Sequence, residues 1–229
     1  MKKRIYLALL ACLIAITPAY AVSINTEVLG QGKFDVGTET NIILDKEIES
    51  EVLGVSGNSD VDLNEYLISG RYGITDSITA IVKAGVTDVE VEDLADFEAE
   101  PSVGAGLYAL LAEVSGWSFV GGGQFFTIID PDAEDSGVHY EGEWKEWQLS
   151  LVASRPVTVF NKAVKAYTGL VVSDVDADVE AAGITADGQA NRNVGVVIGA
   201  STRIGSVDVG LQGRVIDEAS ISVSASYRF

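Results

Sequence analysis

Apolar and polar residues alternate through most of the chain, which is the pattern of β-strands with two chemically different faces. The pattern is clearest at the C-terminus, where apolar residues from Ile221 to Phe229 alternate with serines and Arg228. It recurs at 78–86, at 194–200 and at 207–215. Each of these segments predicts a sheet wall that is apolar on one side and polar on the other.

This alternation predicts ten antiparallel strands in an up-and-down meander. Eight strands is the alternative, because 22–44 is either one long interrupted strand or a tail followed by a strand. Tight turns are predicted at 73–77, 115–116 and 204–206, and a longer connection containing Pro156 at 155–162. The predicted strands lie near 33–44, 62–72, 78–87, 101–113, 117–129, 138–154, 163–173, 192–204, 206–216 and 220–229.

The composition indicates that this meander forms a membrane barrel. The chain is 47% hydrophobic, yet no stretch beyond residue 21 is a continuous apolar run of spanning length. Lipid leaves only helices and closed barrels as spanning structures, because every backbone polar group must be paired internally. We therefore predict an all-β fold, an antiparallel up-and-down transmembrane β-barrel. A soluble lipocalin-like barrel or a secreted β-sandwich would show the same alternation with the faces exchanged. Short turns alternating with long acidic segments favour the membrane barrel.

The N-terminus predicts a secretory signal peptide over 1–21. Lys2, Lys3 and Arg4 precede an apolar run of about a dozen residues, and 19–21 reads Ala-Tyr-Ala, a small-residue cleavage site. Cleavage there leaves one barrel domain over 22–229. The alternative is a lipoprotein signal, because residues 9–12 loosely resemble a lipoprotein box in which Cys12 would be lipidated. Cleavage before Cys12 would leave apolar residues at the new N-terminus, so we favour cleavage after Ala21.

The last ten residues also resemble a known sorting signal. Segment 220–229 is similar to the C-terminal strand of Gram-negative outer-membrane β-barrels of the small OmpA-like and porin-like class, which typically end in Phe with apolar residues at alternating positions. The resemblance implies an outer-membrane location, with Tyr227 and Phe229 as part of the insertion signal. It also implies the barrel-assembly machinery, outer-membrane lipid and lipopolysaccharide as partners.

Charges of both signs fall on the polar face, which faces the lumen in this prediction. Buried charges must be paired or hydrated, so the set predicts either a salt-bridged, water-filled plug or a narrow ion path whose selectivity these charges determine. The predicted lumen charges are Lys33, Asp35, Glu39, Glu65, Arg71, Lys83, Glu146, Lys165, Arg203, Asp208, Arg214 and Arg228.

Acidic residues concentrate in the predicted outer loops. The segments 45–62, 87–100, 130–141, 174–190 and 217–219 hold 25 of the 34 acids and a single base, Lys46. One interpretation is a solvated crown that keeps the protein soluble. The other is a weak divalent-cation site, since hard cations prefer carboxylate oxygens. Its candidate ligands alternate along two segments: Asp88, Glu90 and Glu92, and Asp174, Asp176, Asp178 and Glu180.

Other chemistry has little support in the sequence. The formal net charge of −19 argues against nucleic acid as a partner. The only cysteine is Cys12, so a chain cut after Ala21 has no thiol nucleophile, and His139 is the only histidine available for an enzyme. We predict no enzymatic activity and no cofactor. The predicted function is a small narrow pore or a structural surface protein, with adhesion or cation binding through the loops as the alternative.

Overall fold

The computed structural model describes residues 26–52, 55–91, 95–135, 138–181, 184–190 and 193–229. The predicted signal peptide, Cys12 and Glu92 lie outside the described residues. No helix in the described part of the chain is long and apolar enough to cross a membrane. The strands are β1 (Phe34–Val52), β2 (Val55–Thr75), β3 (Ile78–Val91), β4 (Ala95–Val114), β5 (Trp117–Ile128), β6 (Asp132–Asp135), β7 (Val138–Val159), β8 (Lys162–Ala181), β9 (Ile184–Ala190), β10 (Val194–Ile204), β11 (Val207–Val215) and β12 (Ala219–Arg228).

Ten of these strands close into an antiparallel barrel. Consecutive neighbours around the ring are β1, β2, β3, β4, β5, β7, β8, β10, β11 and β12, and the pairing of β12 with β1 closes it. The short β6 pairs only with β7. The short β9 pairs with both β8 and β1 and completes the wall above the ends of β10–β12. The prediction of a ten-stranded antiparallel barrel is confirmed, and the eight-stranded alternative is wrong.

The predicted outer loops were too long, because the strands continue into them. β1 and β2 run through most of 45–62, β3 and β4 through most of 87–100, and β8 and β9 through most of 174–190. In these extensions the acids alternate with apolar residues that face inward, such as Val89 and Val175, both buried. The period-2 pattern therefore persists there, and the high acid content concealed it.

The connection predicted at 155–162 is also shorter than expected. β7 extends through Pro156 to Val159, and only Phe160 and Asn161 form the turn. Both turn residues have positive φ, 47° and 59°, which is the backbone of the two-residue hairpin turn that matches strand twist. The turn predicted at 115–116 is present, and the turn predicted at 204–206 is formed by 205–206. We call the barrel end with these short turns the turn end and the opposite end the upper end.

The outer surface of the barrel is an apolar belt. Val82, Leu149 and Ile198 are each more than 60% exposed, whereas the neighbouring Lys83 and Gln148 are buried inside. Tyr72, Trp117 and Phe229 lie on the exposed side near the turn end, and Trp147 lies toward the upper end. Aromatic girdles flanking an apolar band are typical of outer-membrane barrels. A soluble barrel would expose its polar face instead, so the two faces fit a membrane environment.

Candidate functional site in the barrel interior

A cluster of buried charges fills the upper part of the interior. We call Lys46, Glu146, Arg214, Asp217 and Glu218 the upper cluster. The Lys46 Nζ lies 2.9 Å from Glu146 Oε2 and 3.3 Å from Glu218 Oε2. The side chains of all five residues are almost fully buried. Pairing of this kind is what makes charge tolerable away from water.

The tight β11–β12 loop brings two of the carboxylates to this cluster. Arg214, near the end of β11, pairs with Asp217 and donates to Ser173 Oγ at 2.9 Å, and its Nη1 lies 3.5 Å from Glu218 Oε1. The loop folds inward through Ile216, whose φ of 97° is unfavourable for a β-branched residue. The local strain is compensated by the ion pairs that it makes possible.

A glycine provides the space for this inward loop. A Cβ on Gly195 of β10 would lie 2.1 Å from Asp217 Oδ1 and 2.9 Å from Arg214 Nε. Any side chain there would displace the carboxylate from the arginine. The ion pair between Arg214 and Asp217 therefore packs directly against the backbone of Gly195, and only glycine leaves enough space for it.

Hydrogen bonds extend this network along the inner face of the barrel, from β7 through β5 to β4. Gln148 Nε2 donates to Glu146 Oε1 at 2.8 Å, and Gln124 Nε2 donates to Gln148 Oε1 at 2.7 Å. The Tyr108 hydroxyl donates to Gln124 Oε1 at 2.9 Å. This chain of buried polar groups fixes the side-chain rotamers of three strands, since each unmade bond would leave a buried group unsatisfied.

Apolar side chains fill the space around these charges. Trp144, Phe126 and Leu63 are at most 5% exposed and belong to one inward-facing cluster. Lys46 Nζ lies 5.8 Å from the centre of the Trp144 ring, within the range of a cation–π contact. The sequence predicts a polar face toward the lumen, and the upper interior departs from this prediction because apolar side chains also face inward there. In a narrow barrel, inward apolar residues can pack against each other across the lumen.

A second, more open group of charges lies at the turn end. We call Glu27, Lys165, Arg203, Asp208 and Arg228 the mouth cluster. The Glu27 carboxylate lies 3.1 Å from Arg228 Nη1, 3.4 Å from Arg203 Nη2 and 3.4 Å from Lys165 Nζ. Asp208 accepts from Arg203 Nε at 2.8 Å and from Arg228 Nη2 at 3.1 Å.

The cations of the mouth cluster dominate the electrostatics of Glu27. Partial burial acts to raise the pKa of its carboxyl, but Lys165, Arg228 and Arg203 outweigh burial and lower the pKa to about 2. Glu27 is therefore ionised at neutral pH. Above it lies a cavity of about 70 Å³ lined by Glu27, Arg71, Ser201, Asp208 and other polar residues, with room for roughly five waters.

The remaining interior charges lie between these two clusters. Lys83 Nζ lies 2.8 Å from Glu39 Oε2, and Asn41 Nδ2 donates to Glu65 Oε2 at 2.7 Å. Arg71 and Asp35 form a two-pronged pair, with Arg71 Nε donating to Asp35 Oδ1 at 2.8 Å.

The predicted lumen charges differ in how deeply their side chains are buried. Asp35, Glu39, Glu65, Lys83, Glu146 and Arg214 are buried, Arg71, Lys165, Asp208 and Arg228 are partly buried, and the Arg203 side chain is 45% exposed. The prediction that Lys33 lines the lumen is wrong. This residue is exposed, because β1 begins only at Phe34 and Lys33 belongs to the segment before it.

Several interior residues were not among the predicted ones. Lys46, Asp217 and Glu218 were assigned to solvated loops, and Glu27 precedes the first predicted strand. Only Lys46 carried a usable signal, as the one base among 25 loop acids. A lone base in such surroundings is a natural ion-pair partner.

The predicted cation ligands lie on the outer face of the strand extensions. Asp174, Asp176 and Glu180 are exposed on β8, and Asp88 and Glu90 follow the apolar belt on β3. Asp178 is opposite Glu143 and Glu180 is opposite Glu141, while Asp176 is opposite Lys145. Within the described residues, no group of three His, Cys, Asp or Glu side chains could hold a metal ion.

Tyr227 and Phe229, the predicted insertion residues, lie on the outside of the closing strand. The Phe229 ring stacks on Phe34 at 5.6 Å between ring centres and meets Tyr227 edge-on at 4.9 Å. The Phe229 amide donates to the Phe34 carbonyl at 3.1 Å. The two ends of the barrel sheet are thus joined at an aromatic patch on the turn end.

No family model and no curated protein sequence matches the chain. Solved structures with similar folds include the outer-membrane protein OprG from Pseudomonas aeruginosa, with 13% identity, a TM-score of 0.48, and coverage of 89% of this chain and 99% of OprG. An outer-membrane channel from Pseudomonas putida F1 has 11% identity and a TM-score of 0.48, covering 91% of this chain and all (100%) of the channel. The outer-membrane protease OmpT from Escherichia coli has 12% identity and a TM-score of 0.47, covering 90% and 100%.

These similarities concern barrel architecture alone. The chain's own topology and surfaces define it further, with a closed ring of ten strands, an apolar outer face and a charge-paired interior. It has the architecture of the Gram-negative outer-membrane β-barrels.

Proposed function

We propose that this protein is an integral outer-membrane β-barrel with a sealed interior, acting as a structural surface protein. The observation that carries the proposal is the packed upper interior. There the ion pairs of Lys46 and Arg214 and the side chains of Trp144 and Phe126 are nearly inaccessible to water. Ion paths are lined by polar or charged groups that remain accessible to the ion, whereas the described charges in this layer are paired and packed against apolar side chains.

The outer surface supports the membrane part of the proposal. An apolar belt bounded by aromatic residues would cost free energy in water and is stabilised in lipid. Short turns face the periplasm and long hairpins face outward in barrels of this kind. In this proposal the C-terminal strand, ending at Phe229, is recognised by the barrel-assembly machinery, and lipid and lipopolysaccharide surround the belt.

Flotation and solute release together test this proposal. The refolded protein is reconstituted into liposomes loaded with a small fluorescent solute and floated on a density gradient. We expect the protein to float with the lipid while the solute is retained as well as in protein-free liposomes. Protein that remains at the bottom of the gradient would contradict membrane integration. Release of the solute by floating protein would contradict the sealed interior.

A second candidate function is favoured by the acidic outer face above the belt. Two cross-strand pairs place like charges opposite each other, Glu143 with Asp178 and Glu141 with Glu180, and like charges in this position are destabilising. The ion pair of Lys145 with Glu143 offsets part of this charge. In this alternative, divalent cations bridge these carboxylates to lipopolysaccharide phosphates. Calcium titration in the presence of lipopolysaccharide tests it. A protein that binds lipopolysaccharide equally well with and without calcium would contradict it.

A further inference from the structure

The short segment before β1 crosses the open mouth of the barrel. On one side its backbone is attached to β2 and β3, because Gly32 N donates to Gly73 O at 2.9 Å and Leu29 N donates to Thr79 Oγ1 at 2.7 Å. Leu29 is fully buried. On the other side Glu27 reaches cations on β8, β10 and β12. In the ring of ten strands, β3 and β10 are opposite each other, so the segment spans the mouth.

The barrel wall is shaped to accept this segment. A Cβ on Gly73 would lie 2.2 Å from the Gly30 carbonyl oxygen and 2.8 Å from that of Leu29. Gly32 turns the segment toward β1 with a φ of 74°, a conformation that favours glycine. Gln31 N also donates to Asp76 Oδ1 in the β2–β3 turn at 3.0 Å. The β2–β3 side therefore holds the segment through backbone fit.

On the far side, the ion pairs of Glu27 attach the segment to the wall. Without Glu27, the three cations Lys165, Arg203 and Arg228 would face only one carboxylate of the mouth cluster, Asp208. Arg228 Nε is buried and has no hydrogen-bond partner among the described residues, so the group retains an unused donor. Such a cluster is preorganised to bind a carboxylate, and Glu27 supplies that carboxylate.

We propose that residues 26–33 form a strap that closes the turn-end mouth, and that Glu27 is its latch, occupying a carboxylate-binding site made by Lys165, Arg203 and Arg228. Release of the carboxylate frees one end of the strap and exposes the cavity lined by Ser201 and Arg71. The latch lies at the opposite end of the lumen from the upper cluster. It therefore goes beyond the proposed sealing function and does not depend on it.

Thiol accessibility tests the latch in the full chain. Ser201 faces the cavity, and Cys12 is the only natural cysteine, so a Cys12→Ser, Ser201→Cys protein carries one reporter thiol. Its rate of modification by a small anionic methanethiosulfonate is measured in detergent micelles. Glu27→Gln is compared with Glu113→Gln, a control carboxylate that is exposed at the turn end and accepts a hydrogen bond from Ser118 Oγ.

We expect Glu27→Gln to raise the modification rate roughly tenfold, as expected for loss of a charge-assisted contact, and Glu113→Gln to leave it unchanged. Equal rates in all three backgrounds would overturn the proposal. A second measurement does not depend on the folding of the variant. In the protein with Glu27, about 1 M salt screens charges beyond roughly 3 Å and should accelerate modification. A rate independent of salt in that protein would overturn the latch as well.

Discussion

The upper cluster and the mouth cluster use the same chemistry in opposite proportions. The upper cluster pairs two cations, Lys46 and Arg214, with three carboxylates, and the mouth cluster pairs three cations with two carboxylates. Their burial differs sharply. The upper side chains are at most 2% exposed, while Glu27 is 34% and Arg203 is 45% exposed.

This difference in burial determines what each cluster can do. A buried ion pair is costly to break, because the remaining partner is left uncompensated in a low dielectric. A partly exposed pair exchanges readily with water and salt. In the account proposed above, ion pairs of the same kind therefore seal one level of the barrel permanently and close another level reversibly.

The largest effect is expected from breaking the upper cluster. Lys46→Met removes the cation shared by Glu146 and Glu218 and leaves both carboxylates buried. We expect a loss of about 3–5 kcal/mol in the free energy of unfolding, measured by urea titration in liposomes. The control is Lys145→Met, which removes a lysine from the exposed pair with Glu143 and should leave stability unchanged. A similar small effect of both variants would mean that the two kinds of pair do not differ.

A smaller effect is expected from crowding the upper cluster without changing its charge. Gly195→Ala places a methyl group within 2.1 Å of the Asp217 carboxylate. We expect a loss of about 1–3 kcal/mol from the forced displacement, measured by the same titration. In the control Gly70→Ala the nearest atom is 3.7 Å away, and we expect no loss. A tolerated Gly195→Ala would show that the ion pair is not held against the wall.

The smallest effect is expected at the mouth, and it depends on pH. The pKa of Glu27 is lowered from 4.5 to about 2 in the folded protein. A lowered pKa contributes stability above the unfolded value of 4.5, and this contribution disappears as the pH falls through 2. Because a third of the side chain is exposed, we expect at most about 1 kcal/mol.

This prediction is checked by comparing unfolding free energies of the natural chain and Glu27→Gln at several pH values. The difference should be constant above pH 4.5 and should shrink toward zero by pH 2. A difference that stays the same at low pH would show that the Glu27 charge does not contribute to it.

Much of the fold could be predicted because it depends on a local sequence pattern, the alternation of apolar and polar residues. Alternation alone located ten strands, since each strand exposes one face to lipid and one to the interior. It also placed Lys83 and Arg214 on the inner side. The same pattern continued into the acidic segments, where the acids concealed it.

The ion clusters could be predicted only in part, because their partners are distant in sequence. Glu27 and Arg228 are 201 residues apart, and neither position carries a local signal of the contact. Asp217 and Glu218 belong to a short acidic loop that looks solvated. Its inward course depends on Ile216 adopting a positive φ and on Gly195 leaving space, which only the assembled barrel reveals.

Single-channel recording in a planar bilayer tests the central claim, that the upper cluster seals the interior. The refolded protein is first shown to insert, by protease protection in the same lipid, and current is then recorded in a salt gradient. We predict a silent bilayer, because Lys46, Arg214 and the apolar residues around them are packed and almost inaccessible to water among the described residues. Discrete conductance steps from inserted protein would contradict the sealed interior.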